Sequence, residues 1–471
     1  MKTKLIVTIT LSALFTFPGI TAVAQQQMKT PEQHAFSVKE AVNYALKNSG
    51  QVKNALLDIQ SQQAQNKEIT AAALPKLTAN ASGNYNPKVA VQTIQDFISP
   101  AVYGVLQQNN VKDGNGNPIK PPSEYAYFPI GFGAKWSGQA GIDFQQLLFD
   151  GQVFVGLQAR RASIKNATLA AEVTQEQIKA NVYKIYYQLV VGKRQIGTLD
   201  ANIENVQKLL HDTKEIYKNG FAERLDVDKV QVQLINLQTQ RLKAENQLEA
   251  GLAGLKFLMQ MPPQDQLALT DTLSDAELKS NILSEEYQYE NRKEYQQLET
   301  LMELGKYNIK RYQLAKIPTI SLAANYSESG QWQNFNFFKG PYYNSSYIAL
   351  RINFSIFDGG VKNAKMEQAR IDLRKMENNR DMLKYSIDND INQSRILMKS
   401  ALSTMDAQKR NIDLAQDVYN TTKLKYEQGL GSNQEISTAQ TDLITAQNNY
   451  YSSLYDAIIS KIDYLKAAGT L

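Results

Sequence analysis

Two long stretches of this chain contain no proline. One is residues 130–261, a run of 132, and the other is residues 342–471, a run of 130. Apart from Pro18 and Pro341, every proline falls between Pro31 and Pro129 or between Pro262 and Pro318. Proline lacks the backbone N–H and clashes with the preceding turn, so it ends or kinks helices. Length alone would admit two or three ordinary domains. Prolines confined in this way predict instead a duplicated, helix-rich chain.

The duplication can be followed residue by residue. Leu148-Phe149-Asp150-Gly151 recurs as Ile356-Phe357-Asp358-Gly359, an offset of 208. Tyr217-Lys218-Asn219-Gly220 recurs as Tyr426-Glu427-Gln428-Gly429, an offset of 209. Asn48 and Pro75 recur as Asn291 and Pro318, both at 243. The offset changes only between Pro75 and Asp150, so the first copy carries about 35 extra residues in one segment. The expected first repeat is 25–270, with a helix, a strand pair at about 76–98 and 134–149, and a helix hairpin with its tip near 220. The expected second repeat is 271–471, with a helix, a strand pair at about 318–330 and 345–357, and a hairpin tip near 429.

Within the proline-free runs the apolar period is seven. Val182, Ile185, Leu189, Gly192, Ile196, Leu199, Ile203, Val206 and Leu210 fall at alternating steps of three and four, all but Gly192 large and apolar. A sustained 3.5-residue period means coiled-coil packing. The register carries over to Ile391, Met398, Ala401, Met405, Ile412 and Ala415 with smaller, more polar knobs. A helix from Gln152 to Asn219 would be roughly 100 Å long at 1.5 Å per residue. Such helices must pack lengthwise, in a bundle or in a tube, and the helices alone do not choose between a coiled-coil scaffold and a conduit.

The strands choose. Leu77 to Tyr85 alternates apolar and polar without a fault, and its copy, Ile320 to Tyr326, alternates in the same phase. Trp136, Gly138, Ala140, Ile142 and Phe144 alternate with polar neighbours, as do Ile348, Leu350, Ile352, Phe354 and Ile356. Each run has the length of a membrane β-strand, about 9–11 residues. Both tryptophans, Trp136 and Trp332, lie in these hairpin segments, where aromatic residues form interface girdles. Aromatic packing in an ordinary sheet is the competing reading of those residues. Asp143 and Arg351 fall on the polar face, which would line a lumen. The enlarged segment holds Asp113-Gly114-Asn115-Gly116-Asn117-Pro118 and Pro121-Pro122, and reads as a long external loop. Four strands cannot close a barrel, and an open edge is untenable in hydrocarbon. The expected fold is therefore mainly α with membrane β. It is a homotrimeric 12-stranded β-barrel, with 4 strands per chain, continued by a long α-helical coiled-coil periplasmic tunnel.

Composition removes other classes. Zero Cys excludes disulfides, thiolate metal sites and a lipidated N-terminal Cys. His34 and His211 are 177 residues apart, which leaves little room for a His-based triad. No convergent catalytic set is visible, so no enzyme and no cofactor is expected. With 51 basic against 46 acidic residues there is no strong pull toward nucleic acid. Met1 to Lys4 is a short basic start, Leu5 to Gln27 is free of charge, and Ala22-Val23-Ala24 is a small-x-small cleavage site. This reads as a signal peptide over 1–24, against the alternative of a membrane anchor helix.

The chain at this point resembles the outer membrane efflux protein (TolC) family over essentially all of its mature length. The resemblance rests on the duplicated plan, on the two Phe-Asp-Gly motifs opening the long helices, and on the segment from Tyr426-Glu427-Gln428-Gly429 to Ala467-Ala468-Gly469-Thr470-Leu471. It implies a homotrimer in the outer membrane lipid that extends through the periplasm to meet a periplasmic adaptor and an inner-membrane pump. It implies passive export of small molecules such as drugs and toxic compounds, or type I secretion. An exported coiled-coil or adhesin-like protein without a pore is the alternative.

The resemblance also implies an iris-like gate at the tip, in which Asp226 bonds Tyr426 and Glu435 constricts the lumen. Gly431 stands where the family carries Arg, and Thr438 where it carries a second carboxylate. Solvated helix-start carboxylates are the competing reading of Asp226 and Glu435. Gly220, Phe221, Gly429 and Leu430 are implied as the adaptor-contact tips.

Overall fold

The computed structural model describes residues 32–131, 133–272 and 287–471. The expected signal peptide lies outside the described residues. The first half begins with a short strand, β1 (Gln33–Phe36), and two helices, α1 (Val38–Asn48) and α2 (Gly50–Ala71). Strand β2 (Lys76–Tyr85) leads to a small hairpin, β3 (Val91–Gln95) and β4 (Tyr127–Gly131), which flanks helix α3 (Ile98–Gln108). Strand β5 (Trp136–Phe149) then enters the long helix α4 (Gly151–Lys218), which α5 (Arg224–Met259) follows back. Strand β6 (Gln266–Leu269) closes this half. The second half repeats the plan with α6 (Lys293–Leu314), β7 (Thr319–Trp332), β8 (Tyr343–Asn353), α7 (Val361–Glu427) and α8 (Asn433–Ala468).

Ser37 opens α1 with a full capping box, its hydroxyl taking the Glu40 amide while Glu40 takes the Ser37 amide. The two Phe-Asp-Gly motifs gain a physical reason in the same terms. Asp150 accepts from the Gln152 amide at 2.7 Å, which caps α4. Asp358 accepts from the Gly360 amide at 3.0 Å and the Lys362 amide at 3.1 Å, which caps α7. The Lys362 bond is the main cause holding the Asp358 carboxyl below its usual range.

Strands β2, β5, β7 and β8 form one antiparallel sheet in that order, leaving β2 and β8 as edges. Register keeps like faces together: Leu77 pairs Phe144, Phe144 pairs Ala324, and Ala324 pairs Ile348. On the other face Asp143 takes amide hydrogens from Asn80 at 2.5 Å and Asn325 at 2.9 Å, a tie across three strands. Trp136, Trp332, Phe335, Phe337 and Tyr342 cluster at the end away from the helices. No helix among the described residues is long and apolar enough to cross a membrane.

Two expected strands differ in extent. The strand expected over 76–98 breaks after Tyr85, where Pro87 cannot donate to a ladder. Its continuation, β3, pairs β4 in a separate ribbon. The strand expected to reach 357 stops at Asn353, because its partner among the described residues, β7, ends there at Thr319. The enlarged segment, read as a loop, contains α3. Asp96 caps that helix, accepting from the Ile98 and Ser99 amides.

The largest core lies midway along the helices, where Val42, Ile178, Tyr186, Leu255, Met405 and Leu454 are buried together. A second core binds the helix ends through Val206, Val230, Leu237, Tyr419, Ile436 and Leu443. A third joins α6, α7 and α8 around Tyr295, Ile391 and Tyr464. Beside it Tyr287 donates to Asp388 at 2.5 Å and Tyr289 to the same oxygen at 2.9 Å. That bond to Asp388 pushes the Tyr287 hydroxyl up to about 12. The parallel pair β1 and β6, from Gln33↔Gln266 to Phe36↔Leu269, had no signal in the apolar pattern.

Candidate functional site: the helical tip

Both hairpins turn on the same backbone device. After α4, the Gly220 amide donates to Tyr217 and the Phe221 amide to Ile216. After α7, the Gly429 amide donates to Tyr426 and the Leu430 amide to Lys425. This is the Schellman arrangement, which needs a left-handed residue one past the helix. Gly220 at φ +79° and Gly429 at φ +74° supply it without the cost of a Cβ. The turn leaves Phe221 85% and Leu430 78% exposed, so each hairpin ends in an apolar tip.

The return helices start differently. At α5, Glu223 and Asp226 form a reciprocal capping box, and the Glu223 amide reaches Asp226 Oδ2 at 3.2 Å. At α8, the Ser432 hydroxyl accepts from the Glu435 amide at 3.2 Å. Glu435 is exposed, in the first turn of α8.

The expected Asp226–Tyr426 bond is not formed within the chain. Asp226 Oδ1 instead accepts from Asn433 Nδ2 at 3.1 Å, and the Asp226 carbonyl accepts from the same amide at 3.2 Å. The Tyr426 hydroxyl meets the buried Thr213 hydroxyl at 3.1 Å. The reason is local. Asp226 is already turned into its own helix cap, and Asn433 at the start of α8 is the donor beside it. Asn433 and Thr213 are therefore tip residues that motif reasoning missed. A polar residue in the first turn of α8 and a threonine in a heptad were the available signals.

Above the tip, the seam between α4 and α8 is polar. Gln195 donates to Asn448 at 3.1 Å, Asn202 to Gln447 at 2.7 Å, and Thr198 meets Tyr451 at 2.5 Å. Gln440 lies in this region, fully buried, with neither amide atom bonded. A buried amide without partners is costly, so Gln440 is a weak point in the packing of α8. Tyr419 nearby has its hydroxyl pKa raised by burial and by Glu427. Among the described residues no group of three or more His, Asp or Glu could hold a metal ion.

The chain matches the family described as "Outer membrane efflux protein" over residues 41–259 and 288–470. It is 21% identical over 338 residues to the outer membrane protein TolC of Vibrio cholerae, covering 70% of this chain and 76% of that protein. It is 23% identical over 355 residues to the probable efflux pump outer membrane protein TtgC of Pseudomonas putida, covering 72% of this chain and 70% of that one. The crystal structure of CusC, described in terms of transmembrane channel formation, superposes with a TM-score of 0.72 at 17% identity over 92% of each chain.

Proposed function

This chain belongs to the outer membrane efflux protein family, and on that premise we propose that three copies of it close into a single exit duct. The family is one of transport ducts rather than enzymes, and its members lie in the outer membrane and extend into the periplasm. In the proposed assembly the three four-stranded sheets make a twelve-stranded barrel and the long helices make a tunnel. Cargo passes by diffusion, so no bond chemistry is needed.

The observation that carries this reading is the pair of free sheet edges. Strand β2 runs away from the helices and β8 runs back toward them, so β8 of one copy meets β2 of the next antiparallel. Ring closure removes every edge, as hydrocarbon requires. The helices support the same closure. Neighbours in the lower layer run α5, α4, α8, α7, which leaves α5 and α7 as edges. Leu225, Val232, Ile235 and Leu242 form an exposed stripe on α5, and Leu397, Leu414 and Val418 are exposed on α7.

At the tip, Asp226, Tyr426 and Glu435 are proposed as gate residues, with Asn433 and Thr213 as the partners that Asp226 and Tyr426 use within one chain. Three Glu435 carboxylates around the axis would set a local field on ions. Gly220, Phe221, Gly429 and Leu430 are proposed to meet a periplasmic adaptor, with an inner-membrane pump supplying the energy. The exported class is proposed as small molecules, including drugs and toxic compounds, with type I secretion as the related use of the same duct.

Unboiled and boiled membranes run on one gel test the assembly. A heat-modifiable trimer in the outer membrane fraction is expected, and a soluble periplasmic monomer overturns the duct. Single-channel conductance in a planar bilayer tests the gate. Glu435→Gln is expected to weaken cation preference and Tyr426→Phe to raise open probability. If both leave the traces unchanged, these are not gate residues.

A further inference from the structure

A large cleft lies away from the tip. It has a volume of about 720 Å³ and sits between α2, α4 and α6, just on the helical side of the sheet. Arg160 is nine residues into α4, and Thr70 is one residue from the end of α2. At 1.5 Å per residue the cleft is therefore within roughly 15 Å of the strand ends. In the upper layer the neighbours run α2, α4, α6, α7, so the cleft spans α4 rather than an edge that ring closure would bury.

Its chemistry is one-sided. Lys67, Arg160 and Arg161 line it, against one carboxylate, Glu303. None of the three cations has a carboxylate partner among the described residues. Arg160 is fixed in place, its Nε donating to the Leu157 carbonyl at 3.1 Å and one terminal nitrogen to the Thr70 hydroxyl at 2.9 Å. The remaining guanidinium donors have no acceptor among the described residues. Leu157 and Ile164 give the same cleft an apolar floor.

The duplication shows that the Arg160 charge is not required by helix packing. At the offset of 209 that carries the heptad register, α7 has Ala369 in place of Arg160 and keeps an arginine, Arg370, in place of Arg161. The second copy packs α6 on α7 without a cation at the Arg160 position. Unpaired guanidinium groups beside an apolar floor suit a planar or tetrahedral anion carried on a hydrocarbon body.

We propose that the α2–α4–α6 cleft binds an amphipathic anion, a phosphate or carboxylate on an apolar chain, through Arg160, Arg161 and Lys67. Two sources share that chemistry: an anionic phospholipid of the inner leaflet, and an anionic amphiphile in aqueous solution. The proposal rests on the membrane placement of the sheet.

The chain has no cysteine, so Gln63→Cys at the cleft rim gives one attachment point for an environment-sensitive fluorophore. Labelled protein is reconstituted in phosphatidylcholine vesicles with or without spin-labelled phosphatidylglycerol, and separately titrated with aqueous octyl phosphate. Quenching by the labelled lipid assigns the lipid source, and a response to octyl phosphate alone assigns the soluble one. Arg161→Gln with Lys67→Gln is expected to weaken either response about tenfold, as the loss of two charged contacts implies. Glu303→Gln is expected to strengthen it. No response to either probe overturns the proposal, as does a response that both variants leave unchanged. Each sample is first shown to run as a heat-modifiable oligomer, so that a failed assembly is not read as an empty cleft.

Discussion

Helices α4 and α7 are 68 and 67 residues long and begin from the same Phe-Asp-Gly, yet α4 buries eighteen residues and α7 only seven. Sequence similarity does not explain this, since the heptad register continues from one to the other. Position in the layer explains it. Helix α4 has neighbours on both sides, whereas α7 has α6 and α8 on one side only. Its other face leaves Met382, Tyr385, Ile396, Leu397 and Leu414 open. A duplicated helix is thus covered on both sides in one copy and open on one side in the other.

Opposite mutations break that comparison. Val206 on α4 is fully buried, and Val206→Asp places an unpaired charge in the tip core. A loss of about 4 kcal/mol or more is expected, read from the urea midpoint of the detergent-solubilised protein. Leu414 on α7 is 64% exposed in the single chain. Leu414→Asp is expected to change single-chain stability by under about 0.5 kcal/mol while abolishing the heat-modifiable oligomer. Equal destabilisation by the two variants would show that α7 has no free face.

The repeated glycine after Asp sharpens the same contrast at a smaller scale. A Cβ on Gly151 would meet the Leu314 side chain at 2.6 Å and its carbonyl at 2.8 Å, so this glycine serves close packing. Gly359 sits at φ +66° with open space around it, so it serves backbone shape. Gly151→Ala is expected to cost about 1–3 kcal/mol by overpacking, and Leu314→Gly, which removes the Cβ it meets, should recover part of it. Gly359→Ala is expected to cost about 1 kcal/mol, with no such rescue.

Gln440 offers a change in the other direction. Gln440→Leu removes two buried unpaired amide atoms and is expected to stabilise the chain by about 1–2 kcal/mol. The same variant should slow channel opening if the two hairpins part along the α4–α8 seam, which a bilayer recording would read.

The smallest expected effect is on pH. The Asp358 carboxyl is held below its usual value by the cap of α7. Its contribution is full above the unfolded value of roughly 3.9 and fades as pH falls through the lower folded value. Asp358→Asn should therefore lower neutral stability slightly and flatten its fall below about pH 4, the two forms converging in acid. A urea series at several acidic pH values checks it.

Much of this architecture was legible before any coordinates. The proline map marks the long helices because proline acts on the backbone directly. Alternation marks β2, β5, β7 and β8 because the pleat has a period of two. What was not legible depends on partners brought from far away. The end of β8 is set by β7, and the partner of Asp226 is set by where Asn433 lands after a full hairpin. Helix α3 was hidden by the turn residues that follow it, although Ile98, Val102 and Val105 are spaced for one face. The cationic cleft draws single residues from three elements, so it leaves no motif.

The short parallel pair of β1 and β6 bears on the order of events rather than on strength. It ties Gln33 to Gln266, residues 233 apart. A chain exported with its N-terminus first delivers β1 early and β6 only after both arms of the first hairpin. Long-range pairing must wait for the intervening chain, and its closure entropy comes due before any contact repays it. The strand that arrives first is thus among the last to be fixed. Until then its free amides are open to whatever carries the chain to its membrane.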